Sequence, residues 1–408
     1  MQYRQYNTER DFEAIKQIWK EIGWAKSELG DKIEFFFSEN RTIVADLNDS
    51  PESIVVSFLG QMRYLEEELD FSAIAAVTTS LVARKQNLAA NLTAAKIALD
   101  ARDGAEICGL GMFEQGFYNQ LGFGTGPYEH KLFISPSSIN VDLVPNPPIR
   151  LKENDYEIVH KSMINRKRGH GALNLPISST RLELLVEDDT MGFGYLDESK
   201  DLTHHVMLFG TSTENGPYRV MWTCFREKQQ FLELMALIKS FGDQVHLISM
   251  LEPPNVNMQD LLIKPFAHQI MTSKSEFENQ NRANAFWQIR ILDLEKCLSK
   301  THIPVPGIKF NLEVHDPISK YLEDNRWKWK GVNGQFIVSV GEESSVIKGY
   351  QQNLPVLKCS IGAFTRLWMG ILPASTLYMT DDLSGDESLI RNLDFVFRLP
   401  IPRVDWVL

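Results

Sequence analysis

The opening part of the chain shows first the hydrophobic period of a helix and then that of β-strands. Apolar residues three and four positions apart predict an amphipathic first helix whose buried face is formed by Phe12, Ile15, Trp19 and Ile22. Two runs rich in apolar residues, 42–47 and 54–60, flank the turn-rich segment NDSPES and predict a hairpin. Both periods within one short stretch predict a domain that mixes helices with strands.

The next stretch has the most distinctive pattern. A long alternating run predicts a strand over residues 71–82. It leads into a helix whose apolar positions are Leu88, Leu92, Ala95 and Leu99. A buried strand is predicted at 105–109, followed by a short helix that carries Tyr118. We predict that residues 130–134 form the last strand of this first unit.

A proline-rich break at residues 135–148 ends the first unit, and the pattern then partly recurs. We predict a helix over 231–241 and strands over 149–151, 181–186, 191–195, 204–209, 218–224 and 244–251. The closing region predicts short strands and two helices, near 361–372 and 387–395. The fold class is therefore α/β combined with α+β, in three domains predicted at 1–140, 149–285 and 286–408.

The acidic composition limits the classes of partner. The formal net charge of -11 at pH 7 argues against a nucleic-acid binder, because such proteins neutralise phosphates with basic residues. An acidic surface fits a protein that attracts cationic ligands such as amines; the alternative is that the charge only keeps the protein soluble. The four cysteines form no CxxC pair or Cys/His cluster, which gives no support to a zinc module or a disulfide framework. With no signal peptide or membrane-spanning run, we expect a cytoplasmic protein that binds neither nucleic acid nor membrane.

A basic turn joins the predicted strand 71–82 to the helix that follows it. The turn reads Arg84-Lys85-Gln86-Asn87-Leu88-Ala89. A helix start exposes unpaired N–H groups and the positive end of the helix dipole, so it is a natural phosphate site, and two basic side chains add full charge there. The turn is a candidate pyrophosphate cradle; the alternative is an ordinary solvated turn.

The same turn resembles the acetyl-CoA motif (R/Q)xxGx(G/A) of the GCN5-related acetyltransferases, as Arg84-x-x-Asn87-x-Ala89. The sequence departs from the motif at Asn87, where the family has glycine. Asparagine adopts left-handed backbone geometry more readily than most residues, so a similar turn can form. The short helix with Tyr118, ended by Gly122, resembles the end of the same acetyltransferase core.

Over its whole length the chain resembles the Eis (enhanced intracellular survival) acetyltransferases. Three stretches carry this resemblance: FEQGFYNQLGFG at 113–124, LWMGILPASTL at 367–377 and LPIPRVDWVL at 399–408. The resemblance implies tandem acetyltransferase folds, the first active and the second degenerate, followed by a sterol-carrier-like domain. The second unit lacks the basic turn and the tyrosine-bearing helix, so we expect it to support structure rather than catalysis.

The resemblance also implies roles for individual residues. The backbone of Val77, Thr78 and Thr79 would pair with the pantetheine arm of acetyl-CoA. The turn residues facing its pyrophosphate would be Arg84, Lys85, Asn87, Leu88 and Ala89. Tyr118 would be the general acid, and the terminal carboxylate on Leu408 the general base. The family often ends in an aromatic residue, so Leu408 is a departure in its side chain but not in its carboxylate.

The predicted function is acetyl-CoA-dependent N-acetylation of a small-molecule primary amine, with aminoglycosides and polyamine-like molecules as candidate acceptors. A homo-oligomer is expected, a hexamer by resemblance. The alternative is a non-catalytic acyl-CoA- or lipid-binding protein that retains the fold.

Three further patterns are expected to be structural. His204-His205 lacks a third ligand at useful spacing, so no metal site is expected. The Trp327-Lys328-Trp329 alternation predicts a half-buried strand, and the basic patch 165–170 predicts an exposed loop.

Overall fold

The computed structural model divides the chain into two compact units. It describes residues 2–24, 30–186, 190–210, 214–323 and 326–408. The first unit comprises Met1–Pro127, Phe286–Pro402 and Leu408, and the second comprises Tyr128–Ala285 and Arg403–Val407. No helix in the described part of the chain has the length and apolar character needed to cross a membrane.

The amino-terminal part of the first unit follows the predicted periodicity. Its elements are β1 (Gln2–Gln5), α1 (Thr8–Glu21), α2 (Glu34–Ser38), β2 (Arg41–Leu47), β3 (Ser50–Tyr64), β4 (Glu67–Thr79), α3 (Leu88–Arg102), β5 (Ile107–Gly111), α4 (Gln115–Asn119) and β6 (Gly124–Thr125). Helix α1 buries Phe12, Ile15 and Trp19, as the spacing predicts. The hairpin of β2 and β3 is confirmed, and β4 pairs antiparallel with β3 and parallel with β5.

The second unit contains a second mixed sheet with helices. Its elements are β7 (Glu129–Ile134), β8 (Ile149–Leu151), α5 (Tyr156–Ile164), β9 (Leu173–Asn174), α6 (Ile177–Val186), β10 (Thr190–Leu196), β11 (Leu202–Phe209), β12 (Tyr218–Cys224), α7 (Lys228–Ser240), β13 (Ile248–Leu251), α8 (Pro265–Thr272) and β14 (Gln280–Asn284). The strand order is β14-β7-β13-β12-β11-β10-β8. Strands β12 and β13 are parallel, as β4 and β5 are in the first unit.

The carboxyl-terminal part of the first unit adds a third sheet. Its elements are β15 (Trp287–Ile291), α9 (Leu294–Ser299), β16 (Ile308–His315), β17 (Gly334–Val340), β18 (Ser345–Lys348), β19 (Val356–Ser360), α10 (Ile361–Trp368), α11 (Ala374–Thr380), β20 (Leu383–Gly385) and α12 (Glu387–Val396). Strands β16 to β20 form a sheet in the order β18-β17-β16-β19-β20. Strand β15 instead joins the first sheet, whose order is β1-β2-β3-β4-β5-β15-β6.

Two strands have partners that the sequence does not reveal. Residues 130–134 form β7, but it pairs with β13 and β14 of the second sheet, so its prediction as the last strand of the first unit is wrong. Strand β15 lies between β5 and β6 of the first sheet, although it opens the predicted third domain. Ladder hydrogen bonds join backbone groups common to all residues, so hydrophobic periodicity predicts a strand without specifying its neighbour.

Three local predictions are also corrected. Residues 181–186 belong to helix α6 rather than a strand, because a short apolar run fits either element. Trp327 and Trp329 are half-buried as predicted, but they lie outside any strand. A hydrogen bond holds the side chain of Trp329 in place: its Nε1 donates to the Leu292 carbonyl at 3.0 Å.

The basic patch 165–170 is not simply an exposed loop. Arg166 is 8% exposed and donates from two nitrogens to the two oxygens of Asp405, at 2.7 and 2.6 Å. Its guanidinium also lies 5.2 Å from the ring of Trp406. A buried arginine needs such a carboxylate because burying an unpaired charge is costly. This pair fixes residues just before Leu408.

Candidate active site

Strand β4 separates from β5 at the position where the resemblance places the pantetheine arm. The β4–β5 ladder runs from Phe71 opposite Ile107 to Ile74 opposite Leu110. The pairing with β3 shifts register just beyond, and Ala76 there has a φ of 51°, which marks a β-bulge.

Val77, Thr78 and Thr79 follow the bulge and lie past the end of the β4–β5 ladder. Thr78 and Thr79 remain paired with β3, and Ser53 Oγ donates to the Thr78 carbonyl at 2.9 Å. No strand in the described part of the chain pairs with these residues on the side of β4 that faces away from β3, which leaves that side open to backbone pairing. An extended amide-containing arm could pair there as an added strand.

The turn after β4 presents backbone N–H groups and positive charge together. Lys85 and Asn87 both have left-handed backbone conformations, with φ of 63° and 56°. Asn87 precedes α3, and its own side chain makes no capping hydrogen bond to the helix start. Arg84 and Lys85 are exposed, and the first turn of α3 contains no acidic residue. Asn87 thus takes the conformation that glycine adopts readily, and the free N–H groups suit an anion.

Leu88 and Ala89 differ in their surroundings from the basic residues of the turn. Leu88 is buried in a hydrophobic cluster that also contains Leu92, Leu110 and Tyr118, and Val77 packs against the same cluster. Ala89 is half-buried in the first turn of α3. The cluster therefore brings together side chains from the open end of β4, from the start of α3 and from α4, the helix that carries Tyr118.

Tyr118 is held in α4 by a cap that the sequence pattern did not identify. Glu114 accepts from Gly116 N at 2.9 Å and from Phe117 N at 2.7 Å, which fixes the start of this short helix. Tyr118 is 7% exposed and packs within the hydrophobic cluster that contains Leu88 and Leu110. Burial, with a smaller contribution from Glu114, raises the pKa of Tyr118 to about 12. The phenol therefore keeps its proton at neutral pH.

An amide network supports α4 from β15. Gln288 is fully buried and donates from Nε2 to Asn119 Oδ1 at 2.6 Å and to Thr125 Oγ1 at 3.0 Å. Tyr321 donates from its hydroxyl to Gln120 Oε1 at 2.7 Å. Sequence reasoning missed these positioning residues, because a glutamine or tyrosine far along the chain gives no local signal of the helix it supports.

Leu408 lies against Gly111 at the end of β5. A β-carbon built on Gly111 would overlap the Leu408 carbonyl oxygen and lie 2.9 Å from its carbonyl carbon. The absence of a side chain at Gly111 is thus what allows this close approach. Gly111 directly follows Leu110, which belongs to the same hydrophobic cluster as Tyr118.

Comparison with known proteins establishes the fold. The sterol carrier protein domain family matches residues 294–403. A conserved protein of unknown function from Enterococcus faecalis V583, described as a probable N-acyltransferase, is similar with a TM-score of 0.79 and 16% identity, over 100% of this chain and 99% of that one. A GCN5-related N-acetyltransferase from Anabaena variabilis gives 0.79 and 16%, with 100% of both chains covered.

Eis1 from Mycobacterium abscessus is similar with a TM-score of 0.77 and 14% identity, and both chains are covered over 100% of their length. No curated protein matches the chain by sequence. At such identities the likeness is one of fold, and it confirms the predicted fold class. The chain has the fold of the Eis-type GCN5-related N-acetyltransferases, with a sterol carrier protein domain at its carboxyl end.

Proposed function

We propose that the protein is an acetyl-CoA-dependent N-acetyltransferase that acts on primary amines. The observation that supports this most is the geometry after β4, where an open strand edge leads into a helix start that the side chain of Asn87, in a left-handed conformation, does not cap. A fold alone does not specify a function, so the proposal depends on this site. Aminoglycosides and polyamine-like molecules are the proposed acceptors, because the net charge of -11 favours cationic substrates.

The residues present fit acetyl-CoA. Val77, Thr78 and Thr79 would pair with the pantetheine amides, and the N–H groups at the start of α3 would bind the pyrophosphate. Arg84 and Lys85 would add charge, while Leu88 and Ala89 form the first turn of that helix. Acetyl-CoA, when bound, supplies the acetyl group as a thioester. The general acid and the general base are proposed to be groups of the protein chain.

Tyr118 is proposed as the general acid. A departing thiol, with an ordinary pKa of ~8.5, gains from a proton, and a buried phenol can donate one. Because burial raises the pKa of Tyr118, its hydroxyl stays protonated across the neutral and mildly alkaline pH range.

The carboxylate of Leu408 is proposed as the general base in a chain that ends at this residue. An ammonium group must lose a proton before its nitrogen can attack, and a carboxylate can accept that proton directly or through a water. The close contact of Leu408 with Gly111 supports this role. Residues added beyond Leu408 should abolish turnover while leaving acetyl-CoA binding intact. Full activity of the extended chain would contradict the carboxylate role.

We also propose a cytoplasmic homo-oligomer, a hexamer by its resemblance to the Eis acetyltransferases. All four cysteines are buried and free, which suits a reducing compartment. Light scattering on the purified chain would measure the mass of the assembly.

The test of the proposed activity combines a thermal-shift titration with acetyl-CoA and a thiol-release assay across a panel of amines. We expect a rise in the melting temperature and amine-dependent thiol release. Binding without release on any amine would favour the alternative, a non-catalytic acyl-CoA-binding protein. The absence of binding would contradict both.

A further inference from the structure

The second unit contains a cavity on one face of its sheet. Strands β7 and β14 pair antiparallel, with Asn281 opposite Leu132, and alternate side chains on each strand share a face. The lining includes His130, Leu132 and Ile134 from β7, with Asn279 and Asn281 from the β14 side, and also Phe133 and Gln280 at the alternate positions. The cavity volume is about 330 Å³. This lies in the range of small-molecule sites.

The opposite wall comes from the segment between β13 and α8 and from α8 itself. It contributes an acid, three amides and two apolar side chains: Glu252, Asn257, Gln259, Gln269, Leu262 and Pro265. A few polar groups around a partly apolar floor are typical of sites that orient a small ligand.

Two acceptor oxygens of the cavity residues have no partner. Glu252 accepts from Met258 N through Oε1 at 2.9 Å, while its Oε2 has no hydrogen-bond or ion-pair partner among the described residues. Asn279 is 6% exposed, and its Oδ1 has no partner within the described part of the chain. Asn279 is buried, whereas Glu252 is half-buried. A buried acceptor without a donor is costly, so an oxygen such as Asn279 Oδ1 is rare unless something else supplies the donor.

The charge of the lining indicates which donor fits. Glu252 is the one carboxylate among the described residues that line the cavity, and they include no lysine or arginine. His130 is already engaged through Nδ1 with Asn281 Oδ1 at 3.2 Å. A ligand with a protonated amine would neutralise Glu252, and neighbouring hydroxyl groups would use the amide side chains.

We propose that this cavity is a second small-molecule site, separate from the acetyl-transfer site of the first unit, and that it binds a small polar amine such as an amino sugar. The amine pairs with Glu252 Oε2, and the remaining polar groups of the ligand bind the surrounding amides. The proposal concerns the second unit alone and does not depend on the proposed acetyltransferase activity.

The test is calorimetric titration of the full chain with glucosamine in the absence of acetyl-CoA, with neutral N-acetylglucosamine as the uncharged comparison. Glu252→Gln keeps an oxygen for Met258 N but removes the charge, so glucosamine affinity should fall about tenfold or more. Asp260→Asn is the matched control, because Asp260 is an exposed acid in the same segment that does not line the cavity. It should leave the affinity unchanged.

A variant that binds glucosamine more tightly must be folded, so a gain of affinity cannot be explained by misfolding. Gln269→Glu adds a second carboxylate at the cavity and should tighten glucosamine binding roughly two- to fivefold. The proposal is overturned if glucosamine does not bind, if it binds no better than N-acetylglucosamine, or if Glu252→Gln and Asp260→Asn have equal effects. Electron density for soaked glucosamine beside Glu252 would support it directly.

Discussion

The two units contain the same arrangement of strand, turn, helix and parallel strand, but their turns differ. In the first unit, β4 leads through residues 80–87 into α3, and the turn contains two residues with positive φ. In the second, β12 leads through residues 225–227 into α7, and its cap residue Glu227 has extended backbone. Gln230 Oε1 already accepts from Arg226 N at 2.7 Å. A glutamate at the helix start and an occupied N–H disfavour a phosphate there.

The two units also differ in the surroundings of a buried tyrosine. Tyr118 and Tyr195 are both buried, and burial raises the pKa of each to about 12. Tyr195 stacks on His204 at a centroid distance of 4.5 Å, whereas Tyr118 belongs to the hydrophobic cluster that also contains Leu88 and Leu110. A raised pKa therefore does not by itself identify a catalytic tyrosine. The proposed role of Tyr118 depends instead on its place in the same cluster as Leu88, the first residue of α3.

The buried Ser162–His205 pair of the second unit shows a similar contrast. Ser162 Oγ lies 3.1 Å from His205 Nδ1, a distance that suits a nucleophile and its base. Trp222 Nε1 donates to His205 Nε2 at 3.0 Å, so Nε2 is the acceptor. The proton of the neutral ring then lies on Nδ1 and points at Ser162. His205 cannot accept the serine proton, and the pair is structural.

Tyr118→Phe is expected to have the largest effect. Loss of the acid should lower kcat by about 10² or more, while acetyl-CoA binding remains. Tyr195→Phe is the matched control and should leave kcat unchanged, because that hydroxyl lies in the second unit. Steady-state kinetics on both variants make the measurement. Equal rates for Tyr118→Phe and the wild type would show that Tyr118 has a packing role and is not the acid.

The dependence of kcat on pH above neutrality gives a related prediction. An acid must be protonated to act, and the pKa of Tyr118 is raised to about 12, so rates limited by Tyr118 persist as pH rises and fall only near that value. A kcat profile measured to pH ~10 should show no loss from this group. A fall between pH 8 and ~10 that disappears in Tyr118→Phe would contradict the assignment.

Gly111→Ala tests the position of Leu408. The added methyl group would occupy the space of the Leu408 carbonyl, so the terminus must move. Displacement of a catalytic group by about 1 Å can cost 10²-fold, and kcat should fall by about that factor with little change in acetyl-CoA affinity. Gly307→Ala is the control, because a β-carbon there would meet only Val340 O at 3.5 Å, an ordinary contact. Wild-type kcat in Gly111→Ala would remove Leu408 from the site.

Much of the fold could be predicted from hydrophobic periodicity, and part of the site from one turn. The basic turn and Tyr118 stand out because their residue types suit their chemistry. The close approach at Gly111 could not be predicted, because a glycine in a short apolar strand looks the same whether or not another chain segment lies against it. The same limit applies to β7 and β15, whose partners depend on backbone hydrogen bonds, and to Arg166, whose acid lies far along the chain.

The basic residues of the turn should have intermediate effects. Arg84→Ala and Lys85→Ala should each raise the KM for acetyl-CoA roughly two- to fivefold, because exposed ion pairs contribute modestly. Higher salt should reduce the difference from wild type. Arg226→Ala changes the corresponding turn of the second unit and should leave the KM unchanged. An effect of Arg226 equal to that of Arg84 would erase the distinction between the two turns.

Asn87 should have the smallest effect when it is replaced by glycine. Glycine adopts the left-handed conformation freely, so Asn87→Gly should bind acetyl-CoA within about twofold of wild type. Asn87→Val places a β-branched side chain where φ is 56° and should weaken binding or destabilise the fold by roughly 1–2 kcal/mol. Thermal melts with and without acetyl-CoA measure both. Identical behaviour of the two variants would show that the conformation of Asn87 is unimportant.

The most direct test of the contrast between the units is the stoichiometry of acetyl-CoA binding to the full chain by calorimetry. We predict one site per chain, lost in the double charge reversal Arg84→Glu with Lys85→Glu and retained in Arg226→Glu. Two sites per chain, or one site that survives the double reversal and is lost in Arg226→Glu, would contradict the assignment of acetyl-CoA binding to the turn of the first unit.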